Sequence, residues 1–200
     1  MNKPAIQRSS FTELAAFICL VALGVGLRLG LQHLPNFAPV AAMALFAGYF
    51  FRSMVVAACV PISVMLISDQ YIGSYDWFMM SLVYGTLVLP VLLRPALRRL
   101  FKLHRGRVIS SLASFAGLFA CGLASSIVFF LMTNLGSWIW FPGYERSLQG
   151  LLHCYGQGVP FFRYTLAGDA IFSFGLFGSY ILAHNLNWIA EPEAKMATAS

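Results

Sequence analysis

Five long apolar blocks, at about 13–32, 37–68, 77–93, 108–135 and 161–189, leave this chain few ways to fold. A helix crossing the hydrocarbon of a bilayer takes roughly 20 residues, with about 17–25 tolerated. Composition makes the same point: 59% of the 200 residues are hydrophobic and 10% charged, with a mean hydropathy of +0.75. A soluble domain carries about 25% charged residues. This chain has too little polar surface to cover a water-facing exterior, so it reads as an all-α integral membrane protein. Its pI near 9.4 does not point to nucleic acid, because the basic residues flank apolar blocks instead of covering a soluble face.

Six of the thirteen Lys and Arg fall between Arg94 and Arg107 (Arg94, Arg98, Arg99, Lys102, Arg105, Arg107), with no acidic residue among them. Short loops rich in Lys and Arg stay cytoplasmic, and Lys3 and Arg8 place the N-terminus on the same side. An even number of spans must therefore separate the tail from the cluster. The 37–68 block, interrupted by Arg52 and Ser53, satisfies this parity as a hairpin of two helices but not as one long helix. The expectation is six transmembrane helices with both termini cytoplasmic: a single domain over 1–190 and a short polar tail over 191–200. A retained first helix fits the N-terminus better than a signal peptide, since no small-x-small cleavage site follows.

Helices two and three are expected to be short. Phe37 to Phe51 would reach only about 22 Å at ~1.5 Å per residue. Pro39 suits a helix start, and Pro61 falls inside the third span, where proline removes a backbone hydrogen bond. Such segments persist at membrane depth where neighbours or a cavity satisfy the backbone.

Polar residues gather on the side opposite the cluster. The 69–77 stretch contains Asp69, Tyr75 and Asp76, and a long outer loop is expected from about 134 to 160, with Asn134, Trp138, Trp140, His153 and Tyr155. An interfacial aromatic belt accounts for some of these. Asp169 stands out as a carboxylate well inside the last span, a functional candidate by default unless it pairs with Arg28 or Arg163. Ala22, Gly26 and Gly30 form a small-residue ridge at four-residue spacing, suited to close helix approach, either within the chain or onto a partner subunit. Gly175 and Ser179 repeat the spacing on the last helix.

Enzyme signatures are weak. The four histidines are scattered, the four cysteines form no CxxC pair, and no Walker loop is present. No metal and no cofactor is expected, and no catalytic residue is assigned.

Two stretches carry a resemblance. The first runs Pro35-Asn36-Phe37-Ala38-Pro39-Val40 through Phe46-Ala47-Gly48, followed by Ser68-Asp69 and Gly73. The second runs Phe129-Phe130-Leu131-Met132-Thr133-Asn134 through Trp138, followed by Tyr144, Gly150-Leu151, Cys154-Tyr155 and Pro160-Phe161-Phe162. This pattern resembles an uncharacterised six-helix family of bacterial membrane proteins described only as transport proteins. The family's layout is similar to the substrate-binding (S) components of energy-coupling factor vitamin transporters. The resemblance implies a multi-pass protein of the bacterial cytoplasmic membrane that captures a small polar, vitamin-like solute from the outer side. It also implies docking, through a helix-one motif, onto a coupling subunit that works with ATPases. Here Ala22, Gly26 and Gly30 stand at that motif. The expected ligand residues are Asn36, Asp69, Tyr75, Asn134, Trp138, Tyr155 and Asp169, and the acidic excess favours a neutral or cationic ligand. The competing expectation is a non-transporting scaffold subunit of a membrane complex.

Overall fold

The computed structural model describes residues 10–101 and 108–185; Lys3, Arg8, Lys102, Arg105, Arg107 and the 191–200 tail lie outside them. All regular structure among these residues is helical: α1 (Ser10–Gly30), α2 (Val40–Phe50), α3 (Met54–Ile72), α4 (Trp77–Val88), a 3-10 segment (Leu89–Leu93), α5 (Arg94–Leu100), α6 (Val108–Trp140) and α7 (Leu148–Asn185). The stretch Trp77–Leu100 runs on as one apolar span, so the bundle has six helical segments. Five of them are long and apolar enough to cross a membrane.

The exception, α2, organises the rest. At 11 residues it is about 16 Å long, roughly half the hydrocarbon thickness, yet ten of its residues are buried. A helix apolar on every side belongs inside the protein. Val40, Ala42, Met43, Ala44 and Leu45 are almost fully enclosed, and the helix packs against α3, the 3-10 segment and α7. Around its C-terminal half Phe46 and Tyr49 meet Phe177 and Tyr180 of α7, mostly edge to face. Phe101 closes the cluster against Tyr49 and Phe177.

The chain does break at Arg52. Phe51 leaves α2 in extended conformation, and Ser53 caps α3 by accepting from the Val56 N–H at 3.3 Å, a standard N-terminal cap. The hairpin therefore stands, with two corrections to the lengths and loops. Helix three is not short: α3 has 19 residues, continuing past Pro61 to Ile72, so Asp69 is helical. Gly73, at φ 109°, ends it in a conformation that glycine adopts freely. Nor is there a long loop over 134–160. The helices α6 and α7 extend toward each other and leave only 141–147 between them, placing Asn134, Trp138 and Tyr155 on helices. Asp76 starts α4 by accepting the Met79 N–H at 3.0 Å, and that bond holds its carboxyl below the usual carboxylate range.

The start of the basic segment has a structural task. Arg98 donates from Nη2 to Tyr49 O (2.8 Å) and Phe51 O (2.9 Å), and Arg94 donates from Nη2 to Arg52 O at 2.7 Å. These carbonyls lie at the C-terminal end of α2, where helix geometry leaves acceptors unpaired and the dipole favours cations. Arg52 and the start of the cluster thus share one end of the bundle. Replacing Arg98 by Ala is expected to cost about 1–3 kcal/mol, the range for charge-assisted bonds reduced for solvent access. Thermal unfolding in mild detergent checks this, with Arg98→Lys expected to recover part of the loss.

Candidate ligand site

Asp69 is 5% exposed, near the C-terminal end of α3. Its Oδ1 pairs with Arg28 Nη1 of α1 at 2.5 Å, and its Oδ2 accepts from the Tyr84 hydroxyl of α4 at 2.6 Å. The same Arg28 nitrogen donates to the Ser68 hydroxyl, which itself donates back to Val64 O. The result is a polar tie between three helices in an otherwise apolar bundle. Tyr75, in the 73–76 connection, stands close enough to feel both charges. Partial burial, and then the Asp69 carboxylate, push its phenol up to about 12 against the opposing pull of Arg28. Tyr75 therefore stays a neutral hydrogen-bonding group at physiological pH.

Asn36 and Asp169 come together elsewhere. Both line a cavity of about 210 Å³ beneath the α1–α2 connection, with Arg28 and Gln32 on one side and Phe37, Phe129 and Thr165 around it. Asn36 turns the chain there with φ 57°, a left-handed conformation that asparagine tolerates better than most residues. Asp169 is 4% exposed, and its Oδ2 accepts from the Ser126 hydroxyl of α6 at 2.6 Å. Among the described residues, no arginine pairs with it and its Oδ1 receives no hydrogen bond. Of the two expected arginine partners, Arg28 is taken by Asp69 and Arg163 lies over the Tyr164 ring.

The other expected ligand residues are engaged within the fold. Trp138 donates from Nε1 to Glu145 O at 2.8 Å and has the Arg146 guanidinium over its ring, so it braces the 141–147 turn. Tyr155 donates to Leu131 O at 2.9 Å. Asn134 donates to Phe130 O at 2.8 Å, and its amide occupies the space that a side chain at Gly158 would need. Tyr155 thus ties α7 to α6 and Asn134 packs against Gly158, while none of the three lines the cavity.

The ridge on α1 faces outward. Ala22, Gly26 and Gly30 are exposed, and a Cβ at Gly26 or Gly30 would meet nothing within 4 Å. The glycine that packs inside is Gly24, against Val64 and Met43. Reading residue spacing missed Arg28 and Tyr84 as partners of Asp69, and Ser126 as partner of Asp169. The signal for Arg28 was present, as a lone cation within an apolar helix. Ser126 gave none, since serine is common at helix contacts in membranes. No three His, Cys, Asp or Glu side chains among the described residues are placed to hold a metal ion.

A family model described as a family of unknown function (DUF6580) matches residues 8–191, so the chain belongs to that family. No curated protein and no solved structure matches it.

Proposed function

We propose that this member of the DUF6580 family is the solute-capturing component of a membrane transport system. It would take a compact polar solute from the outer side into the cavity at Asn36 and Asp169. The observation that carries this reading is Asp169, a carboxylate enclosed at membrane depth with one oxygen unused among the described residues and a cavity beside it. Ionisable groups in such places usually serve ligands or ions because they are costly to keep otherwise. The Asn36 amide and the Thr165 hydroxyl add donors and acceptors to the wall, while Phe37 and Phe129 offer ring faces. A volume of about 210 Å³ is below the 300–1,000 Å³ usual for drug-sized ligands, which favours a solute at the small end of the vitamin range. The wall's one carboxylate without a cation among the described residues favours a neutral or cationic solute.

On this reading the Arg94–Arg107 cluster, Arg52 and both termini face the cytoplasm and the cavity faces outward. A coupling subunit with ATPases would supply energy, docking on the exposed Ala22, Gly26 and Gly30 ridge. That same open ridge supports the second reading, a scaffold subunit without a solute. The test is thermal stabilisation of the detergent-purified protein across a panel of vitamins and small polar metabolites. A hit is expected to raise the unfolding midpoint of the wild type and to lose most of its effect in Asn36→Ala and Asp169→Asn. A stoichiometric complex that co-purifies without any bound small molecule, and no hit in the panel, would favour the scaffold.

A further inference from the structure

A second cavity lies on the other side of Asp169. It is a cleft of about 350 Å³ between α6 and α7, walled by Phe115, Phe119, Leu166 and Phe174. Its polar groups are Ser126, Asp169 and Ser173. Ser173 is 5% exposed, and its hydroxyl oxygen is buried with no hydrogen-bond partner. An orphaned buried hydroxyl costs about 1–3 kcal/mol, so its presence one helical turn beyond Asp169 calls for a missing partner. Gly122 adds a second sign of a vacant site. It is buried, yet a Cβ there would meet nothing within 4 Å, because that face of α6 opens into the cleft.

We propose that this cleft binds a small organic monoammonium compound with an apolar body. The ammonium would donate to the free Oδ1 of Asp169 and, once the enclosed Ser173 hydroxyl rotates into the cleft, to Ser173 Oγ, while its hydrocarbon or aromatic part lies among Phe115, Phe119 and Phe174. A carboxylate without a cation is complementary to an ammonium, and ring faces add attraction to it. Three donors on one nitrogen suit two acceptors on adjacent turns of α7. An aminophospholipid headgroup carries the same ammonium but sets a phosphate two carbons away. Among the described residues no Lys, Arg or His lines the cleft to receive that phosphate, which favours a phosphate-free amine. This site is separate from the Asn36 cavity, and the two share only Asp169.

The test uses the full chain in mild detergent, titrated calorimetrically with 2-phenylethylammonium and with 2-phenylethanol as the neutral counterpart. The ammonium is expected to bind saturably and about tenfold or more tightly than the alcohol, the difference expected of a buried charge pair. Gly122→Leu sends a side chain into the cleft from a position where a Cβ meets nothing within 4 Å, and it is expected to abolish binding while leaving the unfolding midpoint near wild type. Asp169→Asn should weaken binding by about tenfold and Ser173→Ala by about threefold, within the cost of one lost hydrogen bond to a charged group. Asn36→Ala, which alters only the other cavity, should leave binding of the ammonium unchanged. The proposal is overturned if the alcohol binds as tightly as the ammonium, or if Gly122→Leu keeps wild-type affinity. It is equally overturned if folded wild type shows no saturable binding. Displacement of the probe by phosphatidylethanolamine nanodiscs, but not by phosphatidylglycerol nanodiscs, would replace the free amine with a lipid and overturn the assignment.

Discussion

Replacing Arg28 by Met is expected to destabilise the protein by about 3–5 kcal/mol, the cost of stripping one partner from a buried ion pair. The two side chains are 16% and 4% exposed, so solvent screens the pair little on the Asp69 side. Without the guanidinium, Asp69 keeps the Tyr84 hydroxyl but loses its cation, and the Ser68 hydroxyl loses a donor. The tie between α1 and α3 goes with it. The double variant Arg28→Met with Asp69→Leu is expected to regain most of the loss, since well-packed apolar groups often replace a buried pair at little cost. Thermal unfolding in detergent of the two single variants and the double variant gives the coupling energy directly. A coupling under about 0.5 kcal/mol, near the additivity limit, would show that Arg28 and Asp69 act separately. Because Arg28 also borders the Asn36 cavity, its loss should weaken any solute found by the panel as well.

The second large effect is expected at Gly48. A Cβ there would stand 3.2 Å from both the Cα and the carbonyl oxygen of Val91. Backbone atoms cannot turn aside as a side-chain tip can, so Gly48→Val must push α2 away from the 3-10 segment. Overpacking a filled core costs about 1–3 kcal/mol, and displacing the one helix that nearly every other element packs against should place this variant at the top of that range. Gly26→Ala is the control: nothing lies within 4 Å, and helix propensity predicts a gain of up to about 1 kcal/mol. Comparable losses at both positions would mean that α2 is not the central packing element. If a coupling subunit docks on α1, Gly26→Ala should leave the isolated protein intact and weaken that complex.

The outward ridge and the inward Gly24 show how far spacing carries an argument. Ala22, Gly26 and Gly30 share one helix face by arithmetic alone, yet nothing in that arithmetic says whether the face packs against the rest of this chain. The neighbours of Gly24 settle it, because Val64 and Met43 occupy the other face. The expected ligand set divided for a similar reason. Asn36 and Asp169 are 133 positions apart in sequence but border one cavity, whereas Trp138 and Tyr155 use their donors on nearby carbonyls. An aromatic with a polar tip looks the same in sequence whether it braces a turn or faces a ligand.

Apolar content determined by itself that the chain forms helices, five of them long and apolar enough to cross a membrane. Together with the placement of cations it also placed the break at Arg52 that makes two helices of the 37–68 block. Both follow from one-dimensional quantities, the length of apolar runs and the parity of spans between basic segments. The lengths of α3 and the α6–α7 hairpin were not legible, because polar aromatics read equally well as loop or as helix. Only the tertiary structure decided that the 11-residue α2 is the buried centre, that Arg98 caps it, and that Arg28 pairs with Asp69 and leaves Asp169 to Ser126. The physical reason is distance along the chain. These contacts join residues 41 to 49 positions apart, and which carboxylate receives the Arg28 guanidinium depends on how the helices cross, a quantity no local pattern encodes.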